Sequence, residues 1–487
     1  MTNAAKALHF PSLAERVALS ERRLVESRVL RRALRSALYQ RAWGARAAEF
    51  AAAASYRDLC ALPYISGKDF RATQMESSPA EWACCDHVRF WISTSGTTGT
   101  PKWVPISDAD IEELEAHSLE DAATMGTLQP GQRMLGLNAP APYYSDLQGY
   151  MSSIALIRHG VEGEMTVTSF LEIERSLGFA LRQQAQAFTA FPSIAMALAE
   201  GLSARLPQVV EQLLQGKRWL ASPLTFLLQH VVHLKPRHLT RFRWGLFGGE
   251  PLEPYRQPIH QAWGMESFEI YALSELRLVF FECYAHAGLH LWLDRCLPEI
   301  IPEAELEKEQ RQAGYVPAAL PVWQAQDGLA GELVLTSFSD ALPLVRYRTA
   351  DLVRVVGMAR CRCGRSDPRI RVLHRADDIV NLGVIRFSLL AVGEQLARVQ
   401  RCGRVADWQL RVGRMGYKAK LTVVVRAEGV SDTTGLAAEV RQALDGITAL
   451  KEGLTNHLVA EPEVRVEAGL VGERTASGKL RRLIYEE

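Results

Sequence analysis

Little in this chain pulls it toward a specialised environment. Lys and Arg number 56 against 55 Asp and Glu, a formal net charge of +1. Charge therefore gives no reason to expect a nucleic-acid or membrane-surface partner. No apolar run approaches the ~18 residues a spanning helix needs, because Arg, Glu or His interrupts the longer ones. Eight cysteines in 487 residues, two of them adjacent at Cys84 and Cys85, do not make a secreted disulfide framework. A charged n-region followed by an apolar signal core is not found, and Glu15, Glu21, Glu26 and Glu49 argue against a transit peptide, which avoids acids. Internal repeats and low-complexity segments are also missing. These absences leave a reducing cytoplasm as the expected location.

What is present is enough chain for two or three structural units, since 487 residues exceed what one hydrophobic core supports. From about residue 11 to 55 the spacing of Leu13, Val17, Leu24, Leu30, Leu34 and Leu38 predicts helix. The most telling segment follows: Val88-Arg89-Phe90-Trp91-Ile92 reads as a strand that delivers the decapeptide Ser93 to Lys102, STSGTTGTPK. Gly96 and Gly99 let backbone N–H groups turn toward an anion, the hydroxyls add donors, and Lys102 supplies compensating charge. The spacing is not that of a Walker loop. A flexible hydroxyl-rich turn is the competing reading of the segment taken alone.

Beyond the loop, Trp103 to Ile106 is extended, and Ser107 or Asp108 caps an acidic helix from about Ala109 to Met125. Strand and helix patterns then alternate to about residue 300, including a helix near 192 to 204 and the unit Trp244 to Gly249, which indicates an α/β arrangement. Strand-rich sequence follows at Glu332–Thr336 and Leu352–Val356, predicting a smaller β unit. Past residue 376, strands at Gln409–Val412 and Lys420–Val425 and a helix near Gly435–Leu444 have room for a compact domain.

Three further segments carry chemistry. Tyr271-Ala272-Leu273-Ser274-Glu275 follows a strand-like Phe268–Ile270 and sets a carboxylate beside a hydroxyl and an aromatic ring. Glu275 suits Mg²⁺ on a triphosphate, or is a solvated acid at a helix start. Within Arg346 to Leu352, a turn between two strands would offer Asp351 to a ribose, or leave it in a surface pair with arginine. The tail Glu473 to Arg482 offers a Thr/Ser/Gly turn around Lys479, which either swings over a developing anion or is simply solvated.

In order along the chain, STSGTTGTPK, FGGEPLEP, YALSE, YRTADL, RADDIVNLG and RTASGKLRR resemble the motifs of the adenylate-forming superfamily of acyl- and aryl-CoA ligases, peptide-synthetase adenylation domains and luciferases. ALPYISGKDFR, GLHLWLDRCLPEII and CRCGRSDPRIRVLHRADDIV resemble its phenylacetate-CoA-ligase-like branch. The resemblance implies an α/β fold with a large multi-lobed N-terminal domain, two sheets flanked by helices plus a small β unit, and a small mobile α+β C-terminal domain. It puts residues 1–376 in the ATP- and carboxylate-binding domain and 377–487 in the lid.

The same resemblance implies that Thr94, Ser95, Gly96, Thr97, Thr98, Gly99 and Lys102 bind phosphate, and that Gly248, Gly249, Glu250, Tyr271 and Ser274 frame the nucleotide. Glu275 would hold Mg²⁺, Asp351 the ribose hydroxyls, Arg375 the nucleotide, with Asp377 the hinge and Lys479 the catalytic lysine. Tyr143, Phe191, Phe247 and Ala272 would line the carboxylate pocket, whose aromatics favour a flat aryl acid, although aromatics also serve as ordinary core. Cys283, His290, Cys361 and Cys363 would form a structural zinc site, against the reading that they are free thiols and a core histidine.

Three departures stand out. Ala272 replaces the usual glycine of the tyrosine segment, His374 stands where a glycine usually precedes the hinge arginine, and Asn381 to Arg386 differs from the usual continuation. They make adenylation a firmer expectation than thioester formation. The expected function is ATP- and Mg²⁺-dependent activation of an aromatic carboxylic acid, followed by transfer to coenzyme A. The alternative is an enzyme that stops at the adenylate or serves a carrier protein or reductase in antibiotic biosynthesis, for example of phenazines. Either a monomer or a homodimer fits.

Overall fold

A computed structural model describes residues 10–486 apart from 53–54, 95–101, 126–130, 139–141, 159, 161, 170–177, 180–181, 205–234, 250–251, 376–378, 383–384, 416–417, 456–458 and 469–480. The described residues fall into two compact units. The first draws on Met1–Ser95, Thr100–Thr349 and Arg354–Val372, the second on Ala350–Val353 and Leu373–Glu487.

Alternation of strand and helix in the first unit produces a six-stranded sheet, in the spatial order Glu162–Ser169, Gln132–Asn138, Ala187–Ala190, Trp244–Gly248, Glu266–Leu273, Leu278–Phe281. Its first five strands are parallel and the last is antiparallel. Parallel neighbours need crossover connections, supplied here by helices such as Tyr144–Arg158 and Glu253–Trp263. Helices Pro192–Ala204 and Glu253–Trp263 close over a core of Phe188, Phe242, Phe247 and Trp263. Phe188 stacks on Phe242 at 5.3 Å between centroids, and the Trp263 indole N–H donates to the Ala195 carbonyl at 3.1 Å.

A seven-stranded sheet takes the order Leu289–His290, Arg369–Arg375, Tyr347–Gly357, Ala330–Ser337, Cys296–Pro302, Leu320–Pro321, with Ile65–Ser66 beside Tyr347–Gly357. Phe90–Ser93 and Trp103–Ile106 pair as a two-stranded antiparallel hairpin. Helix Asp108–Met125 follows; its first turn is capped by Ser107, whose hydroxyl accepts the Asp110 N–H at 3.3 Å.

The leucine-rich start is less continuous than its spacing predicts. It is cut into helices Leu13–Glu26, Val29–Ala33, Ala37–Trp43 and Ala47–Ala51. Arg28 at φ 51° and Gly44 at φ 52° leave the right-handed helical region, and Ser36 caps a new start by accepting from the Leu38 N–H. Apolar spacing survives such breaks, so periodicity alone does not reveal them.

In the second unit, a four-stranded sheet runs Glu463–Val466, Lys418–Glu428, Arg404–Met415, Leu483–Tyr485, with an antiparallel central pair and parallel edges. Helices Leu389–Leu396, Thr433–Leu444 and Thr448–Thr455 contribute Val392, Val440 and Leu450 to a core shared with Leu410 and Val423.

Candidate active site

Parallel strands expose unpaired backbone and loop side chains beyond their carboxyl ends, where α/β sheets bind ligands. Four strands of the six-stranded sheet lead there into Asn138, Phe191, Gly249 and Ser274-Glu275. A Cβ at Gly248 would lie 2.8 Å from the Ile270 carbonyl oxygen, so only glycine allows adjacent strands to close at that point. Gly249 has φ 80°, a conformation glycine adopts without a Cβ penalty. Strands Glu266–Leu273 and Leu278–Phe281 are joined by the tight turn 274–277, with the Leu276 N–H donating to the Leu273 carbonyl at 3.1 Å. Glu275 sits in this turn. Beside it, Tyr271 stacks on Phe280 at 6.1 Å.

The loop hairpin is tied at its mouth. The Thr94 N–H donates to the Lys102 carbonyl at 2.9 Å, and the Lys102 N–H donates to the Thr94 hydroxyl at 3.0 Å. That closure points the Lys102 side chain, only 9% exposed, at the Glu275 carboxylate, with which it forms an ion pair. Tyr347 completes a triangle: its hydroxyl accepts from Lys102 Nζ at 3.1 Å and donates to Glu275 Oε1 at 3.3 Å.

Arg277, at φ 54°, holds the turn against the hairpin by donating to the Pro105 carbonyl at 3.1 Å and the Leu342 carbonyl at 2.7 Å. Behind it lies buried Asp110, which accepts from the Ser339 hydroxyl at 2.6 Å and the Asp340 N–H at 2.9 Å. Burial alone would raise the Asp110 carboxyl. The Arg277 guanidinium and these donors outweigh burial and hold it below the usual range.

Of the residues expected at the site, Thr94, Lys102, Gly248, Gly249, Tyr271, Ser274 and Glu275 lie on these strand ends and turns. Ser95, Gly96, Thr97, Thr98, Gly99, Glu250, Asp377 and Lys479 lie outside the described residues. Asp351 is not in a turn: it occupies the inward face of strand Tyr347–Gly357, 4% exposed, because that strand buries every second residue. Its Oδ1 pairs with Arg375 Nη1 at 3.4 Å in the second unit. Among the expected pocket residues, Phe191 and Phe247 belong to the buried core with Tyr143 packed at its edge, while Ala272 is exposed.

Cys283, His290, Cys361 and Cys363 converge, with all four ligand atoms within 4.8 Å of one another. Cys283 Sγ and Cys361 Sγ are 3.6 Å apart, and Cys363 Sγ lies 3.5 Å from His290 Nε2. Those separations match the edge of a zinc tetrahedron, about 3.8 Å for sulfur bonds of about 2.3 Å. Burial lowers the His290 pKa and favours the neutral imidazole that a metal requires. The Cys361 thiol is held well below the usual range by Cys283 and Cys363.

Residues 21–335 match the family model described as AMP-binding enzyme. The chain belongs to the AMP-binding enzyme family. Within it, this AMP-binding enzyme is similar to phenylacetate-coenzyme A ligase of Pseudomonas putida, 33% identical over 200 residues, or 39% of this chain and 40% of the relative. The same-named protein of Aromatoleum evansii is 28% identical over 253 residues, 51% of this chain and 52% of the relative. The chain thus matches from two-fifths to about half the length of these relatives. In fold it is similar to 2-hydroxyisobutyryl-CoA ligase in complex with 2-HIB-AMP, at a TM-score of 0.72 and 18% identity, covering 98% of this chain and 91% of that one.

Sequence reading missed Tyr347, Arg277 and Asp110. Tyr347 lies inside the YRTADL segment, but an inward tyrosine in an alternating strand looks the same whether it meets core or an ammonium group. Arg277 and Asp110 act on partners far away in sequence, for which no local pattern exists.

Proposed function

We propose that this AMP-binding enzyme activates an aromatic carboxylic acid as its acyl-adenylate and passes the acyl group to coenzyme A. The observation that carries the proposal is the Lys102–Tyr347–Glu275 triangle at the mouth of a Ser/Thr/Gly loop, beyond the ends of parallel strands. A cation and a hard carboxylate oxygen side by side are the pair that a magnesium–triphosphate requires. Glu275 holds Mg²⁺, which when bound neutralises part of the phosphate charge.

Lys102 and the loop amides draw charge from the β- and γ-phosphates. A carboxylate oxygen of the acid attacks the α-phosphorus, the bond to the β-phosphate oxygen breaks, and pyrophosphate leaves. No general base is needed, since the acid is already ionised. Lys479 aligns the two anions for this step. Asp351 takes the ribose hydroxyls, with Arg375 beside it, and Asp377 is the hinge about which residues 377–487 turn to let the thiol in. The thiolate of coenzyme A then displaces AMP from the acyl carbon.

Supporting an aryl acid is the similarity to phenylacetate-coenzyme A ligases. Cys283, His290, Cys361 and Cys363 would hold a zinc ion that serves structure alone, since four protein ligands would leave no open position.

ATP/pyrophosphate exchange across a panel of aryl acids tests the reading: exchange with at least one is expected, and none with any acid overturns it. Adding coenzyme A should yield thioester and AMP; exchange without thioester would leave an adenylating enzyme with a carrier protein or reductase as acceptor. Lys479→Ala should abolish exchange while ATP binding persists. Metal analysis should find one zinc per chain, lost in Cys361→Ser.

A further inference from the structure

We propose that Tyr347 is the positioning residue of Lys102, and that the segment Ile65–Gln74 is the platform on which both are set. The inference rests on Lys102 meeting the nucleotide's phosphates. A lysine is a point charge on a flexible four-carbon stem, so its aim must come from its surroundings. A phenol hydroxyl can accept from an ammonium group and donate to a carboxylate at once, which is what Tyr347 does between Lys102 and Glu275. When nucleotide draws Lys102 away from Glu275, the same hydroxyl keeps a grip on each.

Tyr347 is itself fixed from two sides. Ile65 pairs with it in parallel register, and the preceding Arg346, at φ 48°, is locked by a buried ion pair to Glu299. Directly after Lys102, the Gln74 side chain grips Trp103 at both backbone groups, donating to its carbonyl at 2.5 Å and accepting from its N–H at 3.1 Å. Gly67 begins the helix that carries Gln74, and a Cβ there would lie 3.2 Å from Lys102 Nζ and 3.4 Å from the Tyr347 hydroxyl. One ten-residue segment therefore hydrogen-bonds the backbone adjoining the lysine, pairs with its tyrosine partner and leaves little room for a Cβ beside its ammonium group. This accounts for the ISGKDF sequence, which has no chemistry of its own in the adenylation steps.

The test is Mg-ATP binding by calorimetry without acid, paired with KM values from pyrophosphate exchange. Tyr347→Phe keeps the ring and removes the hydroxyl; Mg-ATP should bind about tenfold more weakly, and KM should rise for ATP but not for the acid. Gly67→Ala should weaken Mg-ATP binding about threefold, yet leave the melting temperature unchanged or higher, because alanine favours a helix over glycine. In a Lys102→Ala background, Tyr347→Phe should cost nothing further, since the tyrosine acts through the lysine. Wild-type binding with Tyr347→Phe within about twofold of it overturns this inference alone, as does a Tyr347→Phe loss undiminished in the Lys102→Ala background. A wild-type chain that binds no Mg-ATP overturns the adenylation reading and this inference together.

Discussion

Arg346 and Tyr347, the first residue of its strand, are neighbours in the chain, yet each joins a different kind of ion pair. Arg346 donates to both Glu299 oxygens at 2.9 and 3.0 Å, to the Cys60 and Leu62 carbonyls at 2.6 and 2.5 Å, and to the Tyr64 hydroxyl at 3.0 Å. All five of a guanidinium's donors are thereby used. Glu299 is wholly buried. Next to it, Tyr347 joins Lys102 and Glu275, whose side chains are 9% and 16% exposed, and Lys102 uses two of its three donors among the described residues. The first arrangement is saturated and has nothing to offer a ligand. The second combines a point charge with a reachable carboxylate, and under the proposed function its partners would be exchanged for phosphate and Mg²⁺ at little cost. Pairing alone does not separate a structural ion pair from a functional one. What separates them is whether every donor is already used.

The comparison breaks most easily at Glu299. Glu299→Gln leaves the Arg346 charge buried without its counter-ion and should cost about 3–5 kcal/mol in chemical denaturation. Glu275→Gln should cost only about 1 kcal/mol while removing Mg-ATP binding. Equal stability losses would show that the two pairs do the same work.

Glu269 sharpens the contrast from the side of an acid facing another acid. Burial, with Glu282 adding to it, pushes the Glu269 carboxyl up to about 7. Because the folded-state value is raised, its contribution to stability is fully present below the ordinary carboxylate range and is lost as pH rises through about 7. The loss should reach about 3 kcal/mol. Glu269→Gln keeps an oxygen for the Leu252 N–H, and should flatten the stability curve across that window. An unchanged curve would mean that the acid is ionised throughout.

The smallest effect is expected at Ala350, which holds φ 59° directly before Asp351. Left-handed backbone is strained for alanine and free for glycine, partly offset by glycine's greater unfolded-state entropy. Ala350→Gly should therefore stabilise by about 0.5 kcal/mol, read as a small rise in melting temperature. A fall would show that the strain is relieved elsewhere.

Short-range rules made several elements legible. The strand predicted before the phosphate loop appears as Phe90–Ser93, the extended Trp103–Ile106 keeps its bounds, and the helix near 192–204 is Pro192–Ala204. Each depends on residues within a few positions of one another. Asp351 shows the limit: a turn was expected there because its segment lies between two strand patterns, whereas sheet pairing carries one strand straight through it.

By itself the sequence determined the family, through ordered motifs such as STSGTTGTPK and YALSE, and the α/β class, through alternating periodicities. Those are properties of local runs, and local runs are what a sequence displays. Only the tertiary structure decided that Tyr347 stands between Lys102 and Glu275, 245 and 72 residues away in the chain, and that a Cβ at Gly67 would crowd the Lys102 ammonium group. The sheets bring those positions together, and the distances that select ammonium, phenol and carboxylate as partners exist only after strand pairing has fixed the register.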